Sequence, residues 1–179
     1  MLNIETSIEG DSWPGSEWQR LSDEAVRAAI LGSPHAHLAE GRMNTEISVR
    51  FSTDAEVHDL NRRFRGKDKP TNVLSFPAVQ PDLLPAMTNS DDGEVLLGDI
   101  ILAAETCARE AKEKGVALDV HARHLVVHGT LHLVGYDHQN EADAVDMERL
   151  ETAILAGMGI ADPYADTSIG AVADERAAD

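Results

Sequence analysis

Residues 95–102 read Val-Leu-Leu-Gly-Asp-Ile-Ile-Leu, a nearly continuous apolar run. A strand with one face toward solvent alternates apolar and polar residues, whereas a strand covered on both faces is apolar almost throughout. The run therefore predicts a central strand of a sheet that is covered on both sides.

The rest of the chain predicts three further strands and five helices. Apolar residues recur at period two or within short apolar runs in the strands, and at helical spacing in the helices. The predicted strands are residues 2–8, 46–51 and 73–76. The predicted helices are residues 16–32, 53–66, 102–114 and 118–134, with a last helix capped by Asn140. Residues 78–93, which carry Pro, Asn, Asp and Gly, predict an exposed loop.

The predicted strands and helices do not alternate regularly, which favours a mixed sheet over a doubly wound parallel one. The length of 179 residues fits one domain. We expect an α+β fold in which residues 1–164 form a single domain, with a mixed sheet of about four strands and about five helices. Residues 165–179 are rich in Ala and Asp and predict a disordered acidic tail.

Composition excludes several classes of protein. No stretch approaches the roughly 18 apolar residues of a membrane span, and the first 15 residues lack the basic and apolar regions of a secretory signal. The single cysteine, Cys107, excludes an internal disulfide and suits a reducing compartment. We therefore expect a cytoplasmic protein with no membrane partner, in which Cys107 packs as a small residue.

The charge is acidic overall but basic in one segment. The net charge is −17, which on bulk charge alone argues against a nucleic-acid binder. Residues 62–69 nevertheless hold five positive charges and one negative charge. A polyanion could bind locally at this segment while the rest of the protein repels it.

Three histidines crowd into residues 128–138, His-Gly-Thr-Leu-His-Leu-Val-Gly-Tyr-Asp-His. His128 and His132 are four residues apart on a predicted helix, so their rings share one face. Gly135 can end the helix, and the turn that follows can return His138 toward the other two. Three imidazole ligands would leave an open coordination position, as in catalytic zinc sites. Water bound there would be acidified and could attack as hydroxide.

The neighbours of the three histidines leave alternatives open. The three rings could instead be unrelated surface or core histidines. His124, one turn before His128, could be a fourth ligand, could support a ligand, or could be a polar residue at the edge of the site. Asp137 could orient a histidine or form a turn. Helical metalloproteases carry a glutamate directly after the first histidine; here that residue is Gly129, which argues against a peptidase or amidase.

The basic segment supplies a complement to a metal. The guanidinium of Arg65 could stabilise negative charge that builds on a phosphate during its hydrolysis, and Lys67 and Lys69 could hold RNA phosphates. The alternative is a solvated basic helix end, which the helix dipole also favours.

The histidine stretch resembles the signature of the bacterial YbeY family, the rRNA maturation endoribonucleases. The segment LNRRFRGKDKPTNVLSFP, the strand LLGDIIL and the closing GIADPY are also similar to that family, so the resemblance covers roughly residues 45–164. In this chain Phe64 stands where the family has tyrosine, and Asn72 stands where it has aspartate. No role can therefore depend on a hydroxyl at position 64 or on a carboxylate at position 72.

The resemblance implies a function. His128, His132 and His138 would bind one Zn²⁺ per chain, and Arg65 would be the functionally important arginine. The implied activity is zinc-dependent hydrolysis of single-stranded RNA in 16S rRNA 3′-end maturation and ribosome quality control. The implied partners are rRNA, proteins of the small ribosomal subunit and a ribosome-associated GTPase. Two alternatives remain: a non-enzymatic ribosome assembly factor with a structural metal, and a metal-dependent peptidase or amidase.

Overall fold

The computed structural model describes residues 1–41, 43–86 and 93–164. Its strands are β1 (Leu2–Ile8), β2 (Asn44–Ser52), β3 (Val73–Pro77) and β4 (Glu94–Ala103). Its α-helices are α1 (Trp18–Gly32), α2 (His37–Glu40), α3 (Asp54–Arg65), α4 (Ala104–Lys114), α5 (Leu118–Leu133) and α6 (Glu141–Gly157). A 3₁₀ helix spans Pro81–Ala86. None of the helices in these ranges is long and apolar enough to cross a membrane.

The four strands form one mixed sheet in the order β1-β2-β4-β3. The first three strands of that order are parallel, and β3 runs antiparallel to β4. The predicted central strand is confirmed, because β4 pairs on both edges and its Leu97, Ile100 and Leu102 are fully buried. The expected α+β fold with a mixed four-stranded sheet is likewise confirmed, and the five predicted helices are present as α1, α3, α4, α5 and α6.

Helix α5 is the most deeply buried helix, with eleven of its sixteen residues inside the protein. It packs on β3 and β4 and touches α1, α4 and α6. Gly129 marks the close approach to β4, since an added Cβ would lie 3.0 Å from Cγ2 of Ile100. The buried positions of α5 include His121, His124 and His128, so the core has to provide these rings with polar partners.

The prediction of an exposed loop over residues 78–93 is wrong for its middle part. Residues 81–86 form the 3₁₀ helix, and Leu84 within it is fully buried in the main core. The proline-rich composition of the segment gave no indication that Leu84 is buried. Residues 87–92 of the predicted loop, and the predicted tail at 165–179, lie outside the described residues.

Gly98 generates the first prediction. It pairs with Pro77 across the β3–β4 ladder and has a φ of 155°. An added Cβ would lie 2.5 Å from the carbonyl oxygen of Phe76 and 2.6 Å from Cδ2 of Leu133. Because the carbonyl cannot move without disturbing the ladder, we expect Gly98→Ala to lower the free energy of unfolding by roughly 2 to 4 kcal/mol in chemical denaturation.

The matched control is Gly157→Ala in α6, where an added Cβ meets nothing within 4 Å. This substitution should change the free energy of unfolding by less than about 1 kcal/mol. Equal losses in the two variants would contradict the steric explanation.

Candidate active site

The end of α5 turns the chain back on itself. Gly135 has a φ of 100°, and an added Cβ would lie 2.8 Å from Cβ of Pro81, so only glycine suits this position. The amide N–H of Tyr136 donates to the carbonyl of Leu131 at 3.0 Å, which closes the turn. The predicted helix stop is confirmed, and the turn carries His138 back beside α5.

Three imidazoles meet at this turn. One ring nitrogen from each of His128, His132 and His138 lies within 4.8 Å of the other two. Nε2 of His128 and Nε2 of His132 are 3.1 Å apart. Two nitrogens bound tetrahedrally at about 2.0–2.1 Å from one zinc ion would be about 3.3 Å apart. The donor set and its spacing therefore fit a single metal ion.

Hydrogen bonds fix which nitrogen of each helical ring faces the cluster. Nδ1–H of His132 donates to the carbonyl oxygen of Tyr136 at 2.8 Å. Nδ1–H of His128 donates to the carboxylate of Glu151. Because neither acceptor can donate a proton in return, both rings keep the Nε2 lone pair for the cluster, as is usual for histidines that bind metals.

Glu151, on α6, is the main component that the sequence reasoning missed. It is fully buried and accepts a hydrogen bond from the Tyr164 hydroxyl at 2.6 Å and one from Nε2 of His124 at 3.1 Å. Burial raises the pKa of this carboxyl, but its electrostatic interaction with His128 and the hydrogen bonds from His124 and His128 outweigh burial and hold the pKa well below its usual range.

A sequence signal for Glu151 does exist. The buried face of α6 consists of Met147, Glu151, Ile154 and Leu155, so the glutamate occupies an apolar position at helical spacing. The apolar residues Val145, Leu150, Ile154 and Leu155 predict the inward side of this helix, but Val145 is exposed. The prediction of this helix is therefore confirmed. Its buried face, however, includes Glu151 and not Val145.

The histidine cluster opens on a cavity of about 610 Å³. Its lining includes Arg65 and Lys67 from the basic segment and His132 and His138 from the histidine stretch. The remaining lining residues are Ser75, Pro77, Pro81, Gly135, Tyr136, Asp137 and Gln139. The structure thus brings the basic segment and the histidine stretch, about sixty residues apart in the chain, to one site.

Arg65 is held against β3. Its Nη2 donates to the carbonyl oxygen of Ser75, and its guanidinium lies 5.4 Å from the centre of the Phe76 ring. A guanidinium has five N–H donors in a planar fork, more than one carbonyl can accept, so an Arg fixed in this way can also donate to an anion. Lys67 shares the cavity wall, whereas Lys69 lies outside the lining.

The comparisons with known proteins identify the family. The family model described as Endoribonuclease YbeY matches residues 13–159. The chain belongs to the YbeY family. The Endoribonuclease YbeY of Sphingopyxis alaskensis is 59% identical over 167 residues, which cover 93% of this chain and 99% of that protein. The Endoribonuclease YbeY of Rhizobium etli is 48% identical over 165 residues, which cover 91% of this chain and 93% of that protein.

The resemblance to the YbeY family that the sequence motifs indicated is thereby confirmed. The relatives are named as endoribonucleases, which is the predicted enzyme class. Among solved structures, the solution structure of TM1509 from Thermotoga maritima has a TM-score of 0.49 at 22% identity, covering 87% of this chain and 91% of that one.

Two neighbours that the sequence left open have defined places in this YbeY-family protein. His124 is buried and bonded to Glu151, so it is not a polar residue at the edge of the site. The carboxylate of Asp137 accepts from the amide N–H of Gln139 at 2.7 Å, which is the bond of a local turn.

Asn72 also has a structural place. It is buried, and its Nδ2 donates to Oε1 of Glu110 at 3.0 Å, the same oxygen that accepts from Nε2 of His121 at 2.9 Å. Burial raises the pKa of the Glu110 carboxyl, but these two hydrogen bonds outweigh it and the pKa is lowered. Asn72 is not part of the cavity lining, so its amide serves the core.

The Tyr164–Glu151 bond generates the second prediction. Tyr164→Phe removes one donor from a buried carboxylate, and hydrogen bonds to charged groups contribute about 1.5–3 kcal/mol. We expect this variant to lose roughly 1 to 3 kcal/mol of unfolding free energy in chemical denaturation.

Tyr136→Phe is the matched control for Tyr164→Phe, because the chain has two tyrosines and the hydroxyl of Tyr136 does not bond to Glu151. It should change stability by no more than about 0.5 kcal/mol. If Tyr164→Phe proved as stable as Tyr136→Phe, the buried carboxylate would not depend on this donor.

Proposed function

We propose that this protein is a zinc-dependent endoribonuclease that cleaves single-stranded RNA in the cavity between α3 and the end of α5. The observation that carries the proposal is a cluster of three imidazoles, two of which, His132 and His138, share the lining of one cavity with Arg65 and Lys67. Family membership supports the reaction class, since the relatives are named as endoribonucleases.

His128, His132 and His138 would hold one Zn²⁺ per chain. Three neutral nitrogen donors suit zinc, and three protein ligands leave a position for water or substrate. A zinc ion held there would polarise a phosphoryl oxygen and make a coordinated water more acidic. The Glu151 carboxylate and the Tyr136 carbonyl orient the helical rings toward that position.

The basic side chains act on the RNA backbone. Arg65, fixed by Ser75 and Phe76, is positioned to stabilise the negative charge that grows on a phosphate during its hydrolysis. Lys67, in the cavity wall, would hold a phosphate oxygen. Lys69, outside the lining, would contact the strand beyond the cleaved linkage.

The geometry favours this reaction over the two alternatives. A peptidase of the helical type would need a glutamate at position 129, but Gly129 faces Ile100 of the sheet and a side chain there would collide with it. A structural metal site would need a fourth protein ligand. Within the described residues His124, one turn before His128, already forms hydrogen bonds with Glu151 and Tyr164.

The physiological substrate is proposed from the resemblance to the family. We assign the activity to 16S rRNA 3′-end maturation and ribosome quality control in the cytoplasm. Proteins of the small ribosomal subunit and a ribosome-associated GTPase would then deliver the RNA to an enzyme whose net charge of −17 does not attract it at long range.

Loss of one ligand tests the metal. In His132→Ala, zinc affinity should fall by more than about 100-fold, because even removal of an outer partner of a ligand costs about 10- to 100-fold. Cleavage of a short single-stranded RNA should fall with it. The measurements are zinc content per folded chain and turnover on the same preparation.

His58→Ala is the control, because His58 is an exposed histidine on α3 that pairs with Asp68. It should keep the zinc of the wild-type protein. Undiminished RNA cleavage by chelated, zinc-free wild-type protein would overturn the proposed function.

Substitution of Arg65 separates charge stabilisation from metal binding. Arg65→Ala should keep its zinc and lower kcat by roughly 100- to 1,000-fold, the usual effect of removing one donor to a developing anion. Arg65→Lys should recover only part of this loss, because an ammonium can neither present a planar fork nor stack on Phe76.

Arg109→Ala, which removes an exposed arginine of α4 that is paired with Glu113, is the matched control and should leave turnover unchanged. A full turnover rate in Arg65→Ala would remove Arg65 from the mechanism.

A further inference from the structure

The aromatic residues of this chain are scarce and unevenly placed. Of the seven, Trp13, Trp18 and Phe51 form one cluster in the core, with ring centres 5.0–5.1 Å apart. Tyr164 is buried on Glu151. Of the other three, Tyr136 lines the cavity, Phe76 contacts the guanidinium of Arg65, and Phe64 packs against Phe76.

Phe64 is the exception to burial. Its side chain is 63% exposed, although it is a large apolar residue at the end of α3. Its ring centre lies 5.8 Å from that of Phe76, edge to face at 72°. The Phe76 ring in turn contacts the guanidinium of Arg65, which lines the cavity. The exposed Phe64 ring is thus connected through Phe76 to an arginine that lines the cavity.

The surroundings of the Phe64 ring are cationic. The guanidinium of Arg63 lies 5.3 Å from its centre, and Asp59 holds that guanidinium in place at 3.2 Å. Residues 62–69 together carry five positive charges and one negative. An apolar ring set among cations suits a ligand that combines a flat aromatic face with negative charge, which is the chemistry of a nucleotide.

We propose that Phe64 is a stacking platform for an unpaired base of the RNA strand whose phosphate lies at Arg65 and Lys67. The proposal rests on the proposed function and adds a subsite to it. Stacking uses the ring face, so it needs no hydroxyl at position 64 and tolerates any base. In a duplex the bases are stacked on one another, so this subsite selects single strands.

An apolar surface of a partner protein is a poorer occupant of this place. Such a surface would have to cover Phe64 and at the same time desolvate the charges of Arg63 and Arg65 beside it, which is unfavourable without acidic groups to pair with them. An RNA strand supplies both the ring face and the counter-charge.

The test measures binding rather than cleavage. A short single-stranded RNA with 2-aminopurine at one position at a time is titrated with zinc-loaded protein, and a gel checks that the strand stays intact. Affinity is read from anisotropy, and stacking is read from the quenching of 2-aminopurine. In Phe64→Ala we expect roughly tenfold weaker binding of the single strand and loss of the quenching at one position. Phe64→Tyr should bind and quench like the wild-type protein.

Leu31→Ala is the matched control, since Leu31 is a large apolar residue of α1, 48% exposed, outside the basic segment. It should bind RNA like the wild-type protein. Melting temperatures of all variants check that each is folded, and a duplex of the same sequence should show little dependence on Phe64.

The outcomes separate this inference from the proposed function. If wild-type protein cleaves RNA but Phe64→Ala keeps the affinity and the quenching, the stacking subsite is wrong and the nuclease stands. If wild-type protein binds with quenching that depends on Phe64 but cleaves nothing, the subsite stands and the nuclease is wrong. If Phe64→Ala binds RNA normally but no longer binds small-subunit proteins, Phe64 is a protein contact and the inference is overturned.

Discussion

The structure depends on hydrogen-bond partners for the histidines that are buried in its core helix, α5. Helix α5 packs against the sheet and three other helices, yet His121, His124 and His128 are all buried in it. A buried imidazole without a hydrogen-bond partner would destabilise the fold by the desolvation of its N–H group. Each of these rings is instead paired with a carboxylate from another helix, Glu110 of α4 or Glu151 of α6.

The same pairing that stabilises the core also shapes the site. A carboxylate that accepts from Nδ1 of His128 directs the Nε2 of that ring toward His132. The Tyr136 carbonyl does the same for His132, from a turn that exists because Gly135 ends the helix. The donors therefore converge through contacts that the fold needs in any case, which limits the rearrangement required to hold a cation.

The sequence was most informative where the relevant geometry is local. Helical spacing placed His128 and His132 on one face, and the glycine after them marked the turn that returns His138. Glu151 could not be found in this way, because its importance comes from a contact across 23 residues with another helix. Its position on an apolar helix face was the only local sign of it. The burial of Leu84 was obscured for a related reason, since proline-rich composition reports on backbone conformation and not on what a side chain covers.

The net charge of the chain is a poor guide to RNA binding, because it does not describe the local charge at the cavity. At physiological ionic strength the Debye length is about 8 Å, so exposed acidic groups further than this from the cavity are largely screened. A phosphate at Arg65 and Lys67 experiences mainly the cations of residues 62–69 and the cavity walls. Remote acidity reduces the capture of RNA from solution but leaves short-range contacts intact. A net charge of −17 is therefore compatible with phosphate chemistry at one basic segment, provided that the strand is brought within reach of it.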